Sequence, residues 1–212
     1  MPNLDYRFDK YTEEYQSEEL AHVRKFAREH PLPDRISLEI GTNRGRFLRD
    51  LAQLNPERYY LGIEWTNSLA QTAQDRLERS GVDNAVVLRA DANHVLPVVI
   101  DDGQLDELFL LYPDPWWKKR HHKRRVIQPE FLDLLSAKMQ PGGKLWIRTD
   151  VGTFADDMRE TIDAHPDFCP MDIFDIPLEP FPRSTRERHV IESGIPVHLV
   201  YYEKAESKTL RE

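Results

Sequence analysis

Carboxylates recur in this chain at one kind of place, where a short apolar run ends and a helical stretch is about to begin. Glu39 stands next to last in ISLEI, Glu64 closes YYLGIE, Asp91 follows AVVLRA and Asp114 stands just beyond LDELFLLY. Glu39 leads into Gly41-Thr42-Asn43-Arg44-Gly45, where Gly41 and Gly45 allow a tight turn and free amides at a helix start can meet a carboxylate or phosphate. Glu64 comes 25 positions after Glu39, near the gap of about 20 residues at which an acidic side chain grips adenosine ribose hydroxyls. This pair serves NAD or S-adenosylmethionine equally. Asp91 adds an acid where an adenine amino group would lie, and Glu39 would repel the pyrophosphate of a dinucleotide. Together the three acids favour S-adenosylmethionine, although each alone would fit a helix cap or a solvated loop end.

The fourth acid belongs to Tyr112-Pro113-Asp114-Pro115-Trp116-Trp117, followed by KKRHHKRR at residues 118–125. Prolines on both sides restrict the backbone and present the Asp114 carboxylate with little freedom, as suits a catalytic or base-reading group. The basic run holds six Lys/Arg and no acid, on a chain of net charge −8. Without it the balance is 23 basic against 37 acidic residues, or −14. Such a body is no generic nucleic-acid binder, so phosphate neutralisation falls to a concentrated patch. Arg and Trp planes can stack on an unpaired base, while adjacent tryptophans more often serve packing.

The elements that must hold these groups follow from periodicity. Beyond Pro33, short apolar strands alternate with helices: ISLEI, GRFLRDLAQL, YYLGIE, SLAQTAQDRLERSG, AVVLRA, LDELFLLY, PEFLDLLSAK and KLWIRT. Asp150 is then placed to cap a helix over VGTFADDMRETIDAH. The alternation predicts an α/β fold, a doubly wound and mostly parallel sheet with helices on both faces. Ligands of such sheets sit beyond the carboxyl ends of the strands, where all four acids fall. The last run, VHLVYYE, lies past the Pro-rich IPLEPFPRS and predicts an antiparallel strand at the sheet edge. SEELAHVRKFARE, with Leu20, Val23 and Ala27 at helical spacings, predicts a helix in an N-terminal extension. The domain reading is an extension at 1–36, a catalytic domain at 37–204 and a polar tail at 205–212.

A length of 212 residues suits one domain with a full core. Cys169 is the single cysteine and makes no intramolecular disulfide, and the eight histidines show neither HExxH nor zinc-finger spacing, so no metal is expected. No run approaches the roughly 18 apolar residues of a membrane span, and the charged start, MPNLDYRFDKYTEEY, does not resemble a secretory leader. The expected address is cytoplasmic, with no membrane partner. A nucleotide-dependent oxidoreductase shares the fold class, but the first loop lacks G-x-G-x-x-G and such an enzyme has no use for KKRHHKRR.

Residues 113–125 match without a gap the P-D-P-W-x-K-x-R-H-x-K-R-R signature of the bacterial tRNA (guanine-N7)-methyltransferases, and the match continues through Gln128-Pro129-Glu130-Phe131. The chain resembles that family from about Ser37 to Glu203, through E-I-G at Glu39, G-I-E ending at Glu64, D-A at Asp91 and T-D at Thr149-Asp150. The resemblance implies a class I methyltransferase fold, Rossmann-like with seven strands. It implies S-adenosylmethionine as cofactor, held by Glu39, Glu64, Asp91 and Asp114 over the Gly41 and Gly45 loop, with Asp114 as the catalytic residue. The implied partner is tRNA, methylated in that family at a variable-loop guanosine. Lys118 and Asp150 would meet this substrate, and Lys119, Arg120, Lys123, Arg124 and Arg125 would follow its backbone. The family's T-K-F-E-x-R-G becomes Ser184-Thr185-Arg186-Glu187-Arg188-His189-Val190, from which Ser184, Thr185, Arg186 and Glu187 would meet the guanosine. The middle glycine of the family's G-x-G-x-G is Asn43, a residue that tolerates positive φ. A different RNA target and an RNA-binding relative without activity are the alternatives; monomer and homodimer are both open.

Overall fold

Successive residues of the central strands send their side chains to opposite faces of the sheet, and this period of two organises the molecule. The computed structural model describes residues 13–171 and 181–206. Five parallel strands, β1 (Ile36–Ile40), β2 (Tyr60–Glu64), β3 (Ala85–Arg89), β4 (Leu105–Leu111) and β5 (Met139–Thr149), form most of the sheet. With β6 (Phe168–Pro170) and β7 (His198–Lys204) the order is β3-β2-β1-β4-β5-β7-β6. Leu108, Leu110, Leu145, Ile147 and Val200 face one side, and Phe109, Trp146 and Tyr201 face the other. The first side is covered by α1 (Glu13–Glu29), α4 (Ala92–Val99), α5 (Pro129–Lys138) and α6 (Gly152–Asp163). The second packs against α2 (Arg46–Leu54) and α3 (Asn67–Arg79). A further helix, α7 (Thr185–Glu192), leads into β7.

Four details differ from the sequence reading. The last strand is antiparallel, pairing Trp146 with Tyr201, but it lies one place in from the edge. β6 pairs outside it and ends at Pro170, a residue suited to an edge because it has no amide to donate. The segment read as an extension sends Val23 and Phe26 of α1 into the main core. α4 is absent from the sequence reading; its VLPVV run carries no helical period, and Pro97 within it reads as a breaker. Asp150 does not cap α6, whose N-cap is Val151; Thr149 Oγ1 accepts from the Val151 amide instead. Residues 176–180 of the Pro-rich stretch, and most of the polar tail, lie outside the described residues.

Candidate active site

β1 and β4 are neighbours, yet the chain leaves β1 for α2 on one face and leaves β4 for α5 on the other. A crevice must open where the two paths diverge. It is a cavity of about 900 Å³, bounded by the loop after β1, by residues 111–115 after β4, and by the amino end of α7. Glu39 stands at its floor, with 3% of its surface exposed and Oε2 without a hydrogen-bond partner. Burial pushes its carboxyl up to about 8 against the opposing effect of Thr42, and Glu64 adds to the rise. A buried carboxyl that holds its proton this tightly is short of one cation.

The glycine loop is built on alternate left-handed residues: Gly41 at φ +83°, Asn43 at +52° and Gly45 at +69°. Asn43 thus occupies the position its residue type allows, and its Oδ1 accepts from the Arg44 amide at 2.8 Å. Gly45 has a second reason to lack a side chain, since a Cβ there would lie 2.8 Å from Ala73 Cβ on α3. The amides of the loop are spoken for. Gly41 and Thr42 donate to Ile63 O, and Asn43 donates to Glu64 Oε2 at 2.8 Å. Glu64 Oε1 accepts from Thr66, so this carboxylate braces two loops and does not line the cavity. Asp91 is likewise outside the lining; its side chain caps α4 through the Asn93 amide, and its own amide donates to Glu19 of α1. Both acids are 8% exposed.

On the facing side, Tyr112 at φ +52° and Trp116 at +47° bracket the Pro113-Asp114-Pro115 turn. Aromatic residues seldom hold this conformation, and such strain gathers where a loop must present a group. Asp114 lines the cavity, is exposed, and accepts from the Trp116 amide at 3.1 Å. Tyr112 also lines it, its hydroxyl buried and unpartnered and held protonated by burial first and by Glu187 second. The basic segment winds into a short 3-10 helix, Lys119–Arg124, with Lys118, Lys119 and Arg120 exposed and Lys123 and Arg124 partly covered. Arg124 lies over the Trp116 ring, while Trp117 is 69% exposed, so one tryptophan packs and its neighbour stands free. Arg125 is engaged within the protein. It donates to Pro115 O and to Asp157 of α6 and covers the Phe154 ring, tying the strained turn to the fold.

α7 forms the third wall, with Ser184, Thr185 and Arg186 among the lining residues. Ser184 Oγ caps the helix by accepting from the Glu187 amide at 3.1 Å. Glu187 is 6% exposed and accepts two bonds from Arg148 of β5, at 2.7 and 2.9 Å, while Tyr201 accepts a third from the same guanidinium. It therefore ties α7 to β5 and is not among the residues that line the cavity. Thr185 and Arg186 do line the cavity, and Arg186 pairs with Asp150 across its mouth. The sequence carries a signal for this arrangement: Ser184-Thr185-Arg186-Glu187 fits the S-x-x-E pattern of a helix start. Among the described residues there is no group of side chains fit to hold a metal ion, and no helix is long and apolar enough to cross a membrane.

Residues 33–191 match a family profile described as "Putative methyltransferase". The tRNA (guanine-N(7)-)-methyltransferase of Alkalilimnicola ehrlichii is 39% identical over 186 residues, covering 86% of this chain and 76% of that one. Its namesake in Thermosynechococcus vestitus is 33% identical over 191 residues, covering 85% and 90%. Among solved structures, the aminoglycoside resistance methyltransferase NpmB1 aligns with a TM-score of 0.55 at 16% identity, over 92% of this chain and 95% of that one. The tRNA (m1A58) methyltransferase TrmI from Aquifex aeolicus aligns at 0.52 and 15%, over 88% and 69%. At these identities the two structures speak for the fold alone.

Proposed function

The chain belongs to the tRNA (guanine-N7)-methyltransferase family, and on that premise we propose that it transfers a methyl group from S-adenosylmethionine to N7 of a guanine in tRNA, with the variable-loop guanosine as the target. The observation that carries this reading is one cavity with the buried, cation-deficient Glu39 on its floor and the rigid Pro113-Asp114-Pro115 turn on its lip.

The residues present fit the cofactor. S-adenosylmethionine, when bound, supplies an electrophilic methyl on a positively charged sulfur and also carries an ammonium group. Glu39 offers that cation a buried carboxylate, and Glu64 and Asp91 hold in place the loops that follow their strands. Guanine N7 already bears an in-plane lone pair, so the protein needs no strong base. Its contribution is placement, bringing the lone pair in line and holding the ring still. Asp114 is positioned to accept from guanine N1 and N2, which adenine cannot offer as a pair, and to offset the positive charge the product ring gains. Trp117 offers an open face for a base turned out of its stack.

The test is direct. Purified protein is incubated with unmodified tRNA and methyl-labelled cofactor, and 7-methylguanosine is located by borohydride reduction and aniline scission of the strand. Cleavage at a single variable-loop guanosine supports the whole reading. Cleavage elsewhere corrects the target, and saturable tRNA binding without methylation assigns the chain to an inactive RNA-binding role.

A further inference from the structure

Several arginines of this acidic chain have carboxylate partners. Arg35 pairs with Asp106, Arg58 with Glu107, Arg125 with Asp157, Arg148 with Glu187, Arg159 with Asp156 and Arg186 with Asp150. Arg44, Arg46 and Arg76 are different. They come from the glycine loop, the first turn of α2 and the last turn of α3, and all three line the cavity. Among the described residues no carboxylate pairs with any of them, and the Nε atoms of Arg46 and Arg76 are buried without an acceptor. The amino end of α2 has the same bias. Its N-cap, Gly45, offers no side-chain acceptor, and its first turn contains no acid. Three uncompensated guanidinium groups and an uncapped helix terminus converge on one wall, an arrangement whose stable complement is an anion.

We infer that Arg44, Arg46 and Arg76, with the amino end of α2, form a second phosphate-binding subsite that seats the tRNA strand on the opposite side of the cavity from residues 118–125. The inference deepens the proposed function and rests on its tRNA substrate. Two observations favour consecutive phosphates over the single carboxylate of a bound amino acid group. Three cations exceed what one carboxylate neutralises, and Arg44 is exposed, where a polymer passing the mouth reaches it. The two basic groups lie on different faces of the sheet: α3 packs on one, while Arg125 fastens the other segment to α6. An RNA strand held at both ends across the crevice would have its central nucleotide above the cavity. A body otherwise at −14 gives the strand little else to hold.

The experiment compares the wild type with Arg44→Ala/Arg46→Ala/Arg76→Ala and with the corresponding triple lysine variant. Each is titrated with unmodified tRNA across a range of potassium chloride concentrations and, separately, with S-adenosylmethionine by calorimetry. The alanine variant should bind tRNA at least about tenfold more weakly at moderate salt, with a log–log salt slope shallower by about 2 to 3 units, and bind the cofactor within about twofold of wild type. The lysine variant keeps the charges and should retain most of the slope. Arg44→Glu, at an exposed position, gives the same direction of change without risk to the fold. Wild-type tRNA methylation with an unchanged slope in the variants overturns this inference and leaves the function standing. Loss of cofactor affinity at constant slope also overturns it, by giving the arginines to the cofactor carboxylate. A wild type that neither binds nor methylates tRNA overturns both.

Discussion

Glu39 titrates where few carboxylates do, and the sign of the effect follows from linkage. With its folded value near 8, raised by burial and by Glu64 against Thr42, the folded chain keeps a proton between the ordinary carboxylate range and pH 8 that the unfolded chain has lost. Stability conferred by the protonated form is therefore complete in acid and falls as pH rises through that window, by a few kcal/mol at most. A cationic ligand reverses the preference, because it favours the ionised carboxylate. S-adenosylmethionine should bind more tightly as pH rises towards 8 and should release close to one proton per site at pH 7, measured by calorimetry in buffers of different ionisation enthalpy. Glu39→Gln should abolish the proton release and flatten the fall in stability. Persistent proton release in that variant would place the ionising group elsewhere. Asp114 calls for a different measurement, since it is exposed and its one protein bond is to the Trp116 amide. Asp114→Asn should lower turnover on tRNA by about a hundredfold or more while cofactor affinity stays within a few fold, the mark of a group that acts on the base in the transition state. Near-normal turnover would make the turn purely architectural.

Single elements show which side chains the sequence could place and which it could not. α7 begins at Ser184, and Glu187 sits in its first turn, but the partner that decides its role is Arg148, 39 residues earlier on β5. No local pattern reports such a pairing, so Glu187 reads as a substrate contact from its motif, and its tie to Arg148 emerges only in three dimensions. The consequence is testable. Glu187→Ala strands a buried guanidinium that only Tyr201 still engages, and unfolding free energy should fall by about 3 to 5 kcal/mol in chemical denaturation. A double change of Arg148→Met and Glu187→Leu should recover most of that loss. If the single variant is as stable as wild type and loses only turnover, Glu187 belongs to the substrate after all. The same distance effect misplaces Asp150, which looks like a cap from its neighbours and is claimed by Arg186 of α7. Asn43, in contrast, is legible, because left-handed backbone is a local property and few residue types accept it.

At the scale of the whole molecule, the alternation of strand and helix carries the parallel sheet, and the acids at strand ends carry the position of the cavity. Both depend on period and order, which a sequence displays. What it hides is the division of labour among like charges. KKRHHKRR reads as one patch, yet Arg125 is committed to Pro115 and Asp157, while Lys118, Lys119 and Arg120 face solvent. The patch therefore splits into residues that we propose to meet RNA and one that ties the Asp114 turn to α6. Replacing Lys119, Arg120, Lys123 and Arg124 with Ala should make the salt dependence of tRNA binding shallower by up to about 4 log–log units, one for each phosphate no longer neutralised, with the melting temperature nearly unchanged. Arg125→Ala should do the opposite. Its salt slope should stay within about one unit of wild type, while turnover falls because the strained turn loses its tie to α6. Equal slope changes per residue in the two variants would return Arg125 to the RNA-binding group and leave Tyr112 and Trp116 to hold the turn without help from α6.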